Sequence, residues 1–196
     1  MKINFTNVEK AFFEEAKIKK ISTKIPYITV ESFPQLGLLS ALSFIEWVSE
    51  NPNGVVSLPN GKTAQYFIHF THFIVDNWEN KKGIALLEKY NLKGIKKPDF
   101  RNLQYVQMGA FYPMYSEQHN SLYNFAKVNY IDGFGISESN SLVIKTEDIK
   151  LAGNMHFLDV FPDYVIDLSL RFREAKTVHE KIQQESIFLI ELVHEL

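Results

Sequence analysis

The sequence predicts an α/β fold with a mainly parallel sheet flanked by helices, and three observations carry that expectation. Val55-Val56-Ser57-Leu58 is short, apolar and β-branched, as a buried parallel strand is. Pro59-Asn60-Gly61-Lys62-Thr63 follows at once and leads into a helical pattern, so a strand, a glycine turn and a helix come in succession. Leu103 to Met108 then alternates apolar and polar residues with period two, giving a second strand beyond intervening helical patterns. Strands alternating with helices imply a parallel sheet.

Taken in order, Asn7 to Ile21 spaces Val8, Ala11, Phe12 and Ile18 as an amphipathic helix. Ile25 to Val30 is rich in strand formers, and Pro34 with Gly37 reads as a break before a helix over Leu38 to Ser49. Asn51-Pro52-Asn53-Gly54 is a strong turn before the first strand of the motif. Past the glycine turn, Phe67, Phe70, Ile74 and Trp78 predict a helix over Gln65 to Trp78, and a further helix is expected over Gly83 to Tyr90. Gly109 to Gln118 reads as a loop, with Asn120 or Ser121 capping a helix that runs to about Tyr130. Ser141 to Ile144 is a further strand candidate. After a break at Phe161-Pro162-Asp163, a long helical pattern through Ile182, Ile187, Phe188, Ile190 and Val193 is expected to reach the end of the chain.

Composition narrows the chemistry. The 196 residues are 45% hydrophobic and 22% charged, which suits one globular domain over 1–196 that needs no covalent staple. With no cysteine, thiolate nucleophiles, zinc ribbons and iron–sulfur clusters are excluded, and a reducing compartment is a natural setting. The 21 basic and 23 acidic residues leave a net charge of −2, so no field draws in nucleic acid or an anionic membrane. Met1-Lys2-Ile3-Asn4-Phe5-Thr6 does not read as a signal peptide, and no stretch reaches the roughly 20 apolar residues a membrane helix needs. A cytoplasmic protein is expected.

Gly61-Lys62-Thr63 invites a nucleotide-loop reading, because a glycine turn ahead of a helix presents backbone N–H groups to a phosphate. The spacing fails for a Walker motif, since Val56 stands where its first glycine belongs. A simpler anion site survives, with an ordinary strand-to-helix turn as the alternative. His69 and His72 lie three apart on a predicted helix, as two metal ligands can, but the aromatic residues around them favour packing and no metal is expected. His119 precedes a helix and fits a loop role as well as a ligand contact. Arg171 and Arg173 flank Phe172 and suit either a phosphate clamp or salt bridges to Glu174 or Glu180. No cofactor signature is found.

Together the pieces carry a resemblance. Val55 to Phe67 resembles the phosphate-loop signature of glucosamine-6-phosphate deaminases, in which a strand ending in Leu-Pro is followed by Thr-Gly-x-Thr-Pro and a helix. Leu103 to Met108, Phe111-Tyr112-Pro113 and His119-Asn120-Ser121-Leu122-Tyr123 are similar to that family's second strand, active-site loop and following helix. Gly133-Phe134-Gly135 and Leu168-Ser169-Leu170-Arg171 extend the likeness over most of the chain. The resemblance implies a Rossmann-like three-layer fold and a hexosamine-phosphate site at Asn60, Gly61, Lys62 and Thr63. Asn60 and Ala64 replace the family's Thr and Pro.

One departure bears on catalysis. Where the family carries Asp-Glu after the second strand, this chain has Gly109-Ala110. That Asp is the family's general base for the sugar's C2 proton, and glycine supplies no carboxylate. The family's later Asp-Gly-His segment is expected beyond Leu196. The resemblance therefore implies a degenerate or truncated relative that binds a sugar phosphate without deaminase or isomerase activity, with no catalytic residue assigned. Two alternatives stand beside it. One is an active sugar-phosphate isomerase that uses other groups, such as Glu117, His119 or Asp132, or those of a partner chain. The other is a non-catalytic interaction module, and an open sheet edge together with 14% aromatic residues makes a homo-oligomer the expectation.

Overall fold

The computed structural model describes residues 5–15, 27–112 and 114–148, and the backbone of a strand at 188–191. Its elements run α1 (Asn7–Glu15), α2 (Phe33–Glu50), β1 (Val55–Val56), α3 (Gln65–Asp76), α4 (Lys81–Lys89), β2 (Gln104–Val106), β3 (Gly109–Tyr112), α5 (Leu122–Ala126), α6 (Asp132–Phe134), β4 (Ser141–Leu142) and β5 (Phe188–Glu191). The order β1-β2-β4 is parallel throughout, and helices fall between the strands along the chain, which makes this an α/β protein. Two compact units divide it. The first takes the residues up to Gly54 with Gly61–Leu103; the second takes Val55–Asn60 with the residues from Gln104 on.

In the first unit, α1 starts at a reciprocal capping pair. The Thr6 N–H donates to Glu9 Oε2 at 2.7 Å, and the Glu9 N–H donates to Thr6 Oγ1 at 3.2 Å. Its buried face is Val8, Ala11 and Phe12, and Phe12 stacks on Tyr90 at 4.7 Å. A second carboxylate reaches the same helix end from α2. Glu46, only 5% exposed, accepts from the Asn7 N–H at 2.8 Å and the Val8 N–H at 3.2 Å, so a buried negative charge meets the positive end of a helix.

Helix α2 begins five residues before the expected Leu38, at Phe33, and the reason is local. Ser32 caps it by accepting from the Gln35 N–H at 3.4 Å, and Pro34 sits in the first turn, where a missing N–H costs no helical bond. Gly37 is not a breaker either. A Cβ there would lie 2.9 Å from the Phe67 backbone nitrogen and closer still to Tyr66, so glycine is what lets α2 and α3 approach. Phe44 adds ring contacts to Phe67 at 5.4 Å and Phe100 at 5.5 Å. Residues 27–30, expected as part of a strand over Ile25 to Val30, have no regular structure.

In the second unit the register is Val55 with Gln104, Val56 with Tyr105, Tyr105 with Ser141 and Val106 with Leu142. The first strand is shorter than the expected Val55 to Leu58, and β2 is shorter than Leu103 to Met108. Gln107 prolongs the pairing from its buried side chain. Its Oε1 accepts from the Ile144 N–H at 3.1 Å and its Nε2 donates to the Gly109 carbonyl at 2.8 Å.

Two expectations are corrected here. Residues 109–112 are a strand rather than the start of a loop, because β5 pairs with them antiparallel, Gly109 opposite Glu191 and Tyr112 opposite Phe188. The same pairing shows that 188–191 are not helical. Phe188-Leu189-Ile190 is a short continuous apolar run whose period alone does not separate strand from helix. The rest of the expected C-terminal helix, the break at Phe161 to Asp163, and residues 16–26 lie outside the described residues. From Leu122 to Phe134 the chain stays helical, but Lys127–Ile131 winds as a π-helix before Gly135 ends the run with φ 77°. Ser121 is the cap, accepting from the Asn124 N–H at 2.9 Å.

Candidate functional site

Gly61 has φ 80° and ψ −164°, a region open to glycine and almost nothing else, and no atom lies within 4 Å of where its Cβ would be. This backbone swings the chain into a helical turn at Lys62–Ala64 that runs straight into α3. The ladder opens with the Ala64 N–H donating to the Gly61 carbonyl at 3.2 Å. The N–H groups of Gly61, Lys62 and Thr63 precede that bond and have no helical acceptor. Gly61, Lys62 and Thr63 are exposed, and the turn thus sets a lysine charge, a threonine hydroxyl and helix-end donors at the surface of the first unit.

Asn60 belongs to the second unit and differs from its neighbours. It is half-buried, and its Oδ1 is wholly buried with no hydrogen-bond partner among the described residues. Beside it the Pro59 carbonyl accepts from the Tyr130 hydroxyl. The Tyr130 ring lies 5.8 Å from that of Tyr105, whose own hydroxyl is also buried with no partner among the described residues. Burial pushes both phenols well above the usual tyrosine range, and the neighbouring Tyr105 adds to the shift of Tyr130. Neither tyrosine carries a sequence signature beyond being aromatic on an apolar face, so pattern reading passes over both.

Gly109 and Ala110 lie buried on β3, with the Gly109 carbonyl taken by Gln107. The acid–base candidates nearby in sequence are all exposed. Glu117 and His119 sit in turns, and Asp132 at the start of α6 pairs with Lys127 at 3.5 Å. The loop between β3 and α5 is held by a different carboxylate. Glu147 accepts from the Ser116 N–H at 3.0 Å and from the Ser116 hydroxyl, while the Ser121 hydroxyl donates to the Ser116 carbonyl at 2.6 Å. The slight desolvation of the exposed Glu147 pulls its pKa up, but the Ser116 hydrogen bonds, helped by its own backbone N–H and by Lys145, outweigh it and leave the carboxyl below its ordinary value.

His69 is exposed on α3 with its ring 5.3 Å from Phe70, and His72 is half-buried on the same helix. No group of three or more metal-ligating side chains occurs among the described residues. No described helix is long and apolar enough to cross a membrane. Arg171 and Arg173 lie outside the described residues.

The parallel strands and interleaved helices define an α/β class of protein. Neither a family model nor a curated protein matches the sequence. Among solved structures, the chain is similar to a monomeric glucosamine-6-phosphate deaminase described as a missing link of the NagB superfamily, at 16% identity and a TM-score of 0.45. The match takes in 62% of this chain and 43% of that one, so the chain spans less than half of the enzyme's length.

Proposed function

We propose that this chain binds a sugar phosphate, of the hexosamine phosphate class, at the Gly61–Thr63 turn, and that it does not carry out the isomerisation and deamination of the enzymes its motifs resemble. The observation that supports binding is the glycine-only backbone of Gly61 at the head of α3, with open space around it. Lys62 supplies a cation and Thr63 a hydroxyl to the same exposed turn. Against catalysis stands Gly109, which has no side chain to take a proton from carbon.

A thermal-shift series tests both halves. Glucosamine 6-phosphate and glucose 6-phosphate are expected to raise the melting temperature, their unphosphorylated sugars are not, and Gly61→Ala removes the response. Ammonia release from glucosamine 6-phosphate is expected to stay at the uncatalysed rate. The absence of any shift with phosphorylated sugars ends the binding proposal, and turnover that Gly61→Ala abolishes ends the non-catalytic one.

A further inference from the structure

The first unit holds a hollow of about 290 Å³ between the start of α1, the extended residues Tyr27 and Ile28, and one face of α2. Leu39, Ser43 and Glu46 recur along α2 at intervals of four and three, so they share that face. Glu46 grips the first N–H groups of α1, and one turn back along the helix the hollow opens. Ser43 and Ser40 stand there in a helix otherwise rich in leucine, and their small side chains leave the space that a leucine would fill. Phe5 lines the other side, its ring in edge contact with that of Phe13 at 4.7 Å. Glu9 lines it from α1. Its Oε2 accepts from the Thr6 N–H at 2.7 Å, and its Oε1 has no hydrogen-bond or ion-pair partner among the described residues.

The lining decides what fits. Glu9 is its one acidic group, and no lysine, arginine or histidine joins it. A phosphate or carboxylate guest would meet the Glu9 carboxylate with like charge. A metal ion would find a single carboxylate, and no group of three metal-ligating side chains occurs among the described residues. A wholly apolar guest would take Glu9 and the serines out of water and return no hydrogen bond. An ammonium group answers all three, because its N–H donors match a carboxylate oxygen and two hydroxyl oxygens. Phe5, Ile28 and Leu39 offer apolar surface to whatever carries it. We propose that this hollow binds a small organic amine, one ammonium group on an apolar or aromatic body. The volume lies at the lower end of ligand pockets and suits a guest of about ten non-hydrogen atoms. This site lies within the first unit and does not rest on the sugar-phosphate reading of the Gly61 turn.

The probe is 2-phenylethylamine, with 2-phenylethanol and 3-phenylpropionate as neutral and anionic counterparts of similar shape. In amide NMR spectra of the full wild-type chain, the amine is expected to shift the Glu9, Ile28, Ser40 and Ser43 resonances along a saturating curve. The alcohol and the acid are expected to leave them in place. Glu9→Gln keeps an accepting oxygen for the Thr6 N–H but removes the charge, and is expected to weaken the amine's Kd about tenfold. Ser43→Leu fills the hollow and is expected to abolish the response, with circular dichroism showing unchanged helix content. Shifts that do not saturate, that fall on other residues, or that the alcohol reproduces overturn the proposal. An affinity that survives either substitution unchanged overturns it as well. The comparison of the three probes on wild type needs no variant, so it decides the matter even if a substituted chain fails to fold.

Discussion

Both units fasten themselves with buried polar groups, but among the described residues only the second also buries side-chain polar atoms that have no partner. In the first, the buried Glu46 carboxylate of α2 meets two backbone N–H groups of α1 and fastens the two helices, and the buried Thr71 hydroxyl is satisfied within α3 by the Phe67 carbonyl at 2.8 Å. In the second, the Tyr105 hydroxyl and Asn60 Oδ1 are buried with no partner among the described residues. A satisfied polar group inside a protein is a structural fastener, whereas an open one is an unused bonding capacity. The contrast is between a unit whose described buried polar side chains are paired and one that keeps two open beside fasteners such as Gln107.

Both tryptophans, Trp47 and Trp78, fall in the first unit, so their fluorescence reads it selectively while circular dichroism reads both. The largest effect is expected from Gly37→Val, which drives a branched side chain into Tyr66 and should cost about 3 kcal/mol in a urea titration followed by tryptophan emission. If the dichroism transition moves equally, the units unfold together and the contrast is one of chemistry alone; if it splits, they are separately stable. Next comes Glu46→Ala, which leaves the Asn7 and Val8 N–H groups without their acceptor, at about 2 kcal/mol. Glu46→Gln keeps one accepting oxygen and should lose less. A Glu46→Ala variant of unchanged stability would erase the fastener half of the comparison.

Gly61→Ala is smaller, about 1 kcal/mol, since the cost is backbone strain with no steric clash around it. The smallest effect is pH-dependent. Glu147 has a folded-state pKa below its ordinary value, so its contribution is complete above about pH 4.5 and is lost as the pH falls through the folded-state value. Because the carboxylate is exposed, this amounts to about 0.3 kcal/mol, visible as a shift of the Ser116 amide resonance before any global unfolding. Glu147→Gln should abolish that early shift.

Much of the fold was legible where the cause is local. Val55-Val56 and the alternation around Tyr105 announce strands through side-chain shape and period, and Ser121 announces a helix start through its hydroxyl. What escaped depends on partners distant in sequence. Pro34 and Gly37 look like breakers until the Ser32 cap and the Tyr66 contact give them roles, and Gly109 to Tyr112 is a strand only because 188–191 lies alongside. The turn at Gly61 shows itself in the sequence through a glycine whose conformation its own chemistry permits. Tyr105 gave no comparable signal and Asn60 was marked only through the family resemblance, because an unpaired buried atom exists only once the surroundings have closed around it.

The π-helical turn has a consequence for how the chain tolerates change in length. Such a turn holds one more residue than an α-helix would across the same span, so loss of one residue between Lys127 and Tyr130 would restore regular winding. Because the extra residue is absorbed within that one turn, the side chains before and after it would keep nearly the same relative facing. The change would fall on the residues of the turn itself, Tyr130 and its hydrogen bond to the Pro59 carbonyl among them. A single-codon deletion there would leave the helix and its flanking contacts almost untouched, whereas the same deletion in α2 would turn one half of that helix by about 100° against the other.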